Sequence, residues 1–174
     1  MAIITLNKQA LPSGSILQVQ STLVTSPFQQ SISAQTDTAI TNMSVNITPS
    51  ATSSKIMLMA RIVGELSITS NQDLMYFILR GSTKINSGDA EGVRSQGIIP
   101  ISQGYWNSNA SSTMDSANMI TIDSTHNSTS QLTYHIGLGA NAAATFNVNR
   151  TITNSNTYTN ERASSEIIAM EIKG

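Results

Sequence analysis

An all-β fold, two packed antiparallel sheets of jelly-roll type behind a short extended N-terminal arm, is what the sequence predicts, and three observations carry the prediction. The first is composition. Only 11% of the 174 residues are charged, against about 25% in ordinary globular chains. The polar surface is supplied instead by Ser, Thr, Asn and Gln, short side chains that compete for backbone hydrogen bonds inside a helix and favour strands and turns. The second is periodicity: apolar residues alternate with period two in segment after segment, and no convincing helical pattern occurs. The third is punctuation. Clusters of Gly, Pro, Asn, Asp and Ser divide the chain into eight or nine short runs at spacings typical of a sandwich or barrel.

Residues 1–15 read as the arm and residues 16–174 as a single sandwich domain, long enough to bury a real core without staples. The arm carries Ile3, Ile4 and Leu6, side chains suited to docking, and closes on Leu11-Pro12-Ser13-Gly14-Ser15, which has the Pro and Gly of a β-turn. Ile16 to Val24 follows as a strand with Leu17, Val19 and Leu23 expected inward; Pro27 breaks it. The polar stretch 29–38 reads as a loop or a weak edge strand. Ile40 to Ile47 resumes the alternation and ends at the turn Thr48-Pro49-Ser50-Ala51-Thr52-Ser53-Ser54, whose proline cannot donate to a ladder.

The next run is the longest. Ile56, Leu58, Ala60, Ile62, Gly64, Leu66 and Ile68 share one parity, and Lys55, Met57, Met59, Arg61, Val63, Glu65 and Ser67 share the other. The second face is neither plainly solvated nor plainly core. Either a loop of the same chain covers its methionines, or another subunit does. Methionine suits a contact surface, being flexible and polarisable, and soluble monomers seldom expose large apolar patches. Met57, Met59, Arg61 and Val63 are therefore the candidate subunit interface.

A turn at 69–73 leads into Leu74 to Arg80, a continuous apolar run that suits a strand buried on both faces. A hairpin turn over 80–85 and the glycine-flanked acidic loop 86–94 come next. The stretch to Ser112 contains Tyr105 and the single tryptophan, Trp106, among uncharged amide and hydroxyl side chains. That surface type binds a protein or glycan partner; burial of Trp106 in the core is the competing reading. Strands are expected over Ala117 to Asp123, over Gln131 to Leu138, over Ala144 to Ile152 and over Glu166 to Ile172, the last with Glu166, Ile168, Met170 and Ile172 on its apolar parity. Arg150 shares a parity with Phe146 and Val148 and, if inward, needs a carboxylate such as Glu166, Glu171 or Asp123.

Chemistry is sparse. There are no cysteines, which removes disulfides and thiolate metal sites. His126, expected in a solvated turn, and His135, expected on the non-core side of a strand, match no zinc spacing. Asp89 and Glu91 lack the ligand series of a calcium loop, and no nucleophile elbow, P-loop or dinucleotide fingerprint occurs. The expectation is a non-enzymatic protein without cofactor. A net charge of −1 gives no electrostatic attraction for nucleic acid or an anionic membrane. No secretory signal opens the chain and no window approaches the roughly 18 apolar residues of a spanning helix. Synthesis in the cytoplasm is expected.

A resemblance runs through nearly the whole chain. Leu11 to Val19 (LPSGSILQV), Ile47-Thr48-Pro49-Ser50, Ser53 to Leu58 (SSKIML), Phe77 to Thr83 (FILRGST), Gly88 to Arg94 (GDAEGVR), Val148-Asn149-Arg150 and the ending Ala163 to Ile172 together resemble a small β-rich virion module of marine and freshwater tailed bacteriophages. The Tyr105 to Ala117 region departs from it. The resemblance implies a virion structural protein whose jelly roll is similar to the tumour-necrosis-factor and complement-C1q heads, assembled as a homotrimer. Such modules decorate capsids or cap tail fibres. With the module beginning almost at Met1 and no shaft ahead of it, the expectation is a capsid decoration or cement protein. Its partner would be the major capsid protein, reached through Ile3, Ile4 and Leu6. The alternative is a tail-fibre head among tail proteins, reading host surface glycan through Tyr105 and Trp106; a small-molecule hydrolase comes a distant third.

Overall fold

The computed structural model describes residues 10–67, 73–102 and 113–174. They form eleven strands: β1 Ile16–Val24, β2 Phe28–Ile32, β3 Thr38–Ile47, β4 Lys55–Ser67, β5 Asp73–Arg80, β6 Thr83–Ile85, β7 Ile99–Ser102, β8 Asp115–Asp123, β9 Leu132–Ala140, β10 Ala144–Val148 and β11 Ser165–Ile172. No α-helix occurs among the described residues. The first sheet has the order β1-β11-β4-β10-β2, with β8 on the other side of β4; the second has the order β3-β9-β5-β6, with β7 also on β5. All strand pairs are antiparallel. The chain crosses between layers at β2 to β3, β3 to β4, β4 to β5, β7 to β8, β8 to β9 and β9 to β10, the interleaved path of a jelly roll.

Strand β4 is the axis of the first sheet because its alternation is nearly uninterrupted. Ile56, Leu58, Ala60, Ile62 and Leu66 are all buried, and they meet Val45, Ile47, Tyr76, Ile78, Tyr134, Ile136 and Leu138 of the second sheet in one continuous core. One edge of β4 pairs with β8 from Ile56 to Gly64; the other is divided, Lys55–Arg61 pairing with β11 and Gly64–Ser67 with β10. At the fork, side chains replace the missing ladder bonds. Ser165 Oγ accepts from the Val63 amide at 3.0 Å and donates to Asn149 Oδ1 at 2.6 Å, and the Asn149 amide donates to the Val63 carbonyl at 2.9 Å. Gly64 is required beside the fork, since a Cβ there would lie 2.5 Å from the Asn147 carbonyl and 2.8 Å from the Phe146 ring.

Several expectations meet the structure as stated. The turn at 12–15 is closed by the Ser15 amide on the Pro12 carbonyl at 3.2 Å, with Gly14 at φ +87°. The stretch 29–38 supplies an edge strand, β2, paired only with β10. In β5, Leu74, Tyr76, Phe77, Ile78 and Leu79 are all buried, as a strand covered on both faces should be.

Others are corrected. Val19 and Leu23 point outward, because an irregularity between Ile16 and Gln18 shifts the register of β1 on β11. In β11 the inward parity is Ser165, Ile167, Ala169 and Glu171. The run expected from Ala144 to Ile152 ends at Val148, where Asn149 turns into the left-handed region at φ 58°. Arg150 therefore meets none of the three carboxylates named for it: its Nη2 donates to Asn147 Oδ1 at 2.9 Å. His126 is buried rather than solvated.

Candidate functional site

Residues paired directly across an antiparallel sheet project from the same face, so the registers write out the outer surface of the first sheet row by row. Val19, Met170, Met57 and Ile122 form one row across β1, β11, β4 and β8; Ser21, Ile168, Met59 and Ile120 form the next. Leu23, Glu166, Arg61 and Asn118 make the third, and Ile16, Ile172 and Lys55 close the other end. Apolar side chains thus run across all four strands in the first row and across β11, β4 and β8 in the second. Ile120 is 66% exposed, Val19 53%, Leu23 57% and Ile122 43%, while Met57, Met59, Val63, Ile168 and Met170 are half-buried by one another and their neighbours. A dip of about 230 Å³ lies among Met59, Arg61, Ile120, Glu166 and Ile168. Arg61 and Glu166 oppose each other across the pair, and Arg61 Nη2 donates to Ser164 Oγ at 3.1 Å. Strand β8 pairs with β4 alone; among the described residues no strand covers its far edge, where Asn86 Nδ2 donates to the Ile122 carbonyl at 2.8 Å.

The structure therefore brings Met57, Met59, Arg61 and Val63 onto one face, as the alternation of β4 required. Reading β4 by itself missed the residues that make the face broad: Val19, Leu23, Ile120, Ile122, Ile168 and Met170. Their signal was present, since β11 is apolar on both parities. Ile3, Ile4, Leu6, Tyr105 and Trp106 lie outside the described residues.

The titratable groups serve the fold. Asp123 is buried and receives Arg80 Nη1 at 2.7 Å, the Tyr134 hydroxyl at 2.7 Å and the Thr125 amide at 3.0 Å. Burial pushes its carboxyl up, but those hydrogen bonds and the guanidinium outweigh it and hold the group below the usual carboxylate range. The network ties β8 of one sheet to β5 and β9 of the other. Burial and the Asp123 charge push the Tyr134 hydroxyl well up. Glu171 is the counterpart at the β3–β4 turn. It accepts from the Ser50 amide, the Ser50 and Ser54 hydroxyls and Gln18 Nε2, each at 2.6 Å, and these outweigh burial to lower its pKa. His126 Nδ1 accepts from the Ser128 amide at 3.1 Å, so Nε2 carries the proton and donates to the Ser54 carbonyl at 2.7 Å.

Every one of these groups is consumed by structural hydrogen bonds, and none is paired with a poised nucleophile. Among the described residues, no cluster of three His, Cys, Asp or Glu side chains could hold a metal ion, and no helix is long and apolar enough to cross a membrane. Glu91 is engaged by Arg94 at 2.6 Å.

No known family model matches the chain, and no curated protein matches it. Among solved structures, the infectious bursal disease virus VP2 subviral particle is similar with a TM-score of 0.37 and 12% identity over 100% of this chain and 46% of that one. The structure of the Gx strain of the same virus is similar with a TM-score of 0.34 and 13% identity, over 100% of this chain and 41% of that one. The chain spans less than half the length of either.

Proposed function

We propose that the protein is a non-enzymatic structural subunit of a bacteriophage virion, a homotrimer that decorates and cements the head, with the outer face of the first sheet buried between its copies. The single observation that carries the reading is that face. One apolar row crosses four strands and the next crosses three, with Val19, Ile120 and Ile122 exposed, and contiguous apolar surfaces of that extent mark interaction sites. A second copy fits it on chemistry. The opposed Arg61 and Glu166 at one margin give a copy rotated about a symmetry axis both signs of charge to meet, and the interior of the patch is uncharged, the pattern of an oligomer interface with an apolar centre and polar rim. The resemblance to tailed-phage virion modules supports the trimeric state and the particle as location.

In this reading the major capsid protein is contacted by the arm through Ile3, Ile4 and Leu6. Imaging of the particle by electron microscopy tests the assignment: density for the chain on the head supports it, and density at the tail tip replaces it with the fibre-head reading. Deleting residues 1–10 should abolish capsid binding while leaving the trimer intact; unchanged binding refutes the arm's role.

A further inference from the structure

The second sheet has an outer surface too, and there the chain builds a cleft of about 930 Å³. Its wall on one side is the turn before β3, where Ala34 bridges to Ala140 and the Gln35 amide donates to the Ala140 carbonyl at 2.7 Å. The opposite wall is the loop between β6 and β7, drawn closed by the Gly88 amide on the Gly97 carbonyl at 3.2 Å. Lys84 holds the two walls at a fixed spacing. Its Nζ donates to Asp37 Oδ1 at 2.8 Å and to the Gln96 carbonyl at 2.8 Å, and it stands 4.2 Å above the Phe77 ring.

The floor is kept bare. A Cβ on Gly139 would lie 3.3 Å from Asp37 Oδ1 and 4.0 Å from Ser95 Oγ. At the rim, Gln35 has φ 52°, a conformation L residues rarely adopt. The lining includes Asp37 and Arg94, the hydroxyl- and amide-bearing Ser95, Gln35 and Asn141, and an aliphatic margin at Val93 and Pro100.

We propose that this cleft binds a short segment of neutral oligosaccharide. Its volume lies within the roughly 300–1,000 Å³ of small-ligand sites. Both donors and acceptors are presented within one open trough, which is what vicinal hydroxyls require, and the aliphatic margin suits the C–H face of a pyranose. A surplus of one charge sign, as anion recognition would use, is lacking: Asp37 offsets Lys84, and Arg94 is paired with Glu91. The cleft also lies on the sheet facing away from the proposed subunit interface, so assembly leaves it open. No aromatic ring lines it, so each site is weak and adhesion would come from many copies on one particle, which multiply avidity by about 10²–10⁴.

The test is titration of the intact, isotope-labelled protein with maltotriose, chitotriose, mannotriose and galactobiose at millimolar concentration, read by amide resonances. At least one sugar is expected to shift the amides of residues 35–37, 94–96 and 139–141. Arg94→Ala and Asn141→Ala should each weaken that binding by about tenfold, the loss of one good polar contact, with the melting temperature unchanged. No shift with any of the four sugars, shifts centred elsewhere, or binding indifferent to both substitutions would overturn the proposal. None of those results touches the trimer reading, which is measured by mass.

Discussion

The two sheets of the sandwich treat their outer faces in opposite ways. The second covers its exposed side with its own chain: Phe77 lies over the bare backbone of Gly137 and beneath the Lys84 ammonium, and the loop between β6 and β7 stands over Met75. The first sheet lays out Val19, Met57, Met59, Ile120, Ile122, Ile168 and Met170 with no such cover among the described residues. Both faces are apolar, yet only one is satisfied within the subunit. Their difference teaches that the two layers share one core but not one kind of surface; in the proposed assembly, cover for the first sheet comes from copies of the chain.

The comparison can be broken most sharply at Ile120. Replacing this largely exposed residue by Asp should leave the subunit folded, since surface substitutions away from special features usually cost under about 0.5 kcal/mol. In the assembly it buries a charge, and weakening of association by about 100-fold or more is expected. Sedimentation velocity reads the result; an Ile120→Asp protein that assembles like the parent shows that the face is not an interface.

On the covered face the expected failure is of the opposite kind, internal rather than associative. Gly137→Ala would bring a Cβ to 2.0 Å from the Phe77 ring, an overpacking cost of about 1–3 kcal/mol. Its melting temperature should fall while subunit mass stays the same. Equal stability would mean the ring has room to move and that the strand is less tightly roofed than described.

Two of the buried carboxylates, which flank Ile56 from β8 and β11, sharpen the picture at one end of the sandwich. Asp123 and Glu171 are held below their unfolded values, so their contribution to stability is present above the unfolded carboxylate range. It is lost as pH falls through the lower folded values. Denaturant midpoints should hold through neutral pH and decline below about pH 4. Glu171→Gln, which removes the charge from four donors, should cost about 1–3 kcal/mol at neutral pH and flatten that decline. A mutant as acid-sensitive as the parent would assign the loss elsewhere. The smallest effect belongs to Arg94→Ala: its exposed ion pair with Glu91 should contribute less than about 1 kcal/mol, and a larger change in melting temperature would mean the loop does more structural work than its contacts show.

Much of this fold was legible from residue order. Period-two runs placed β3, β4, β8 and β9 nearly in full, because each has one strongly apolar parity to bury, and a continuous apolar run placed β5. Legibility failed where two half-apolar parities compete for the core or where one residue changes the register. In β11, Ile168 and Met170 look as fit for a core as Ile167 and Ala169; only the sheet shows that Glu171 shares the inward parity, its charge met by Ser50, Ser54 and Gln18. In β1 the irregularity near Ile16 turned Val19 outward. The fork at Asn149 was invisible, since a left-handed asparagine ending β10 leaves no periodic trace. Of the candidate site, the β4 contribution was read from the strand itself, whereas β8 and β11 joined it through pairing that spans more than fifty residues. The sugar cleft had no sequence signature, because its walls meet only when Lys84 brings Asp37 and Gln96 together.

Everything turns on whether the first sheet's outer face is buried by copies of the same chain. The mass of the full-length protein in solution, by multi-angle light scattering at micromolar concentration, tests that most directly. A particle of three chains of 18.5 kDa is the predicted result; a single chain at every concentration tried would contradict it.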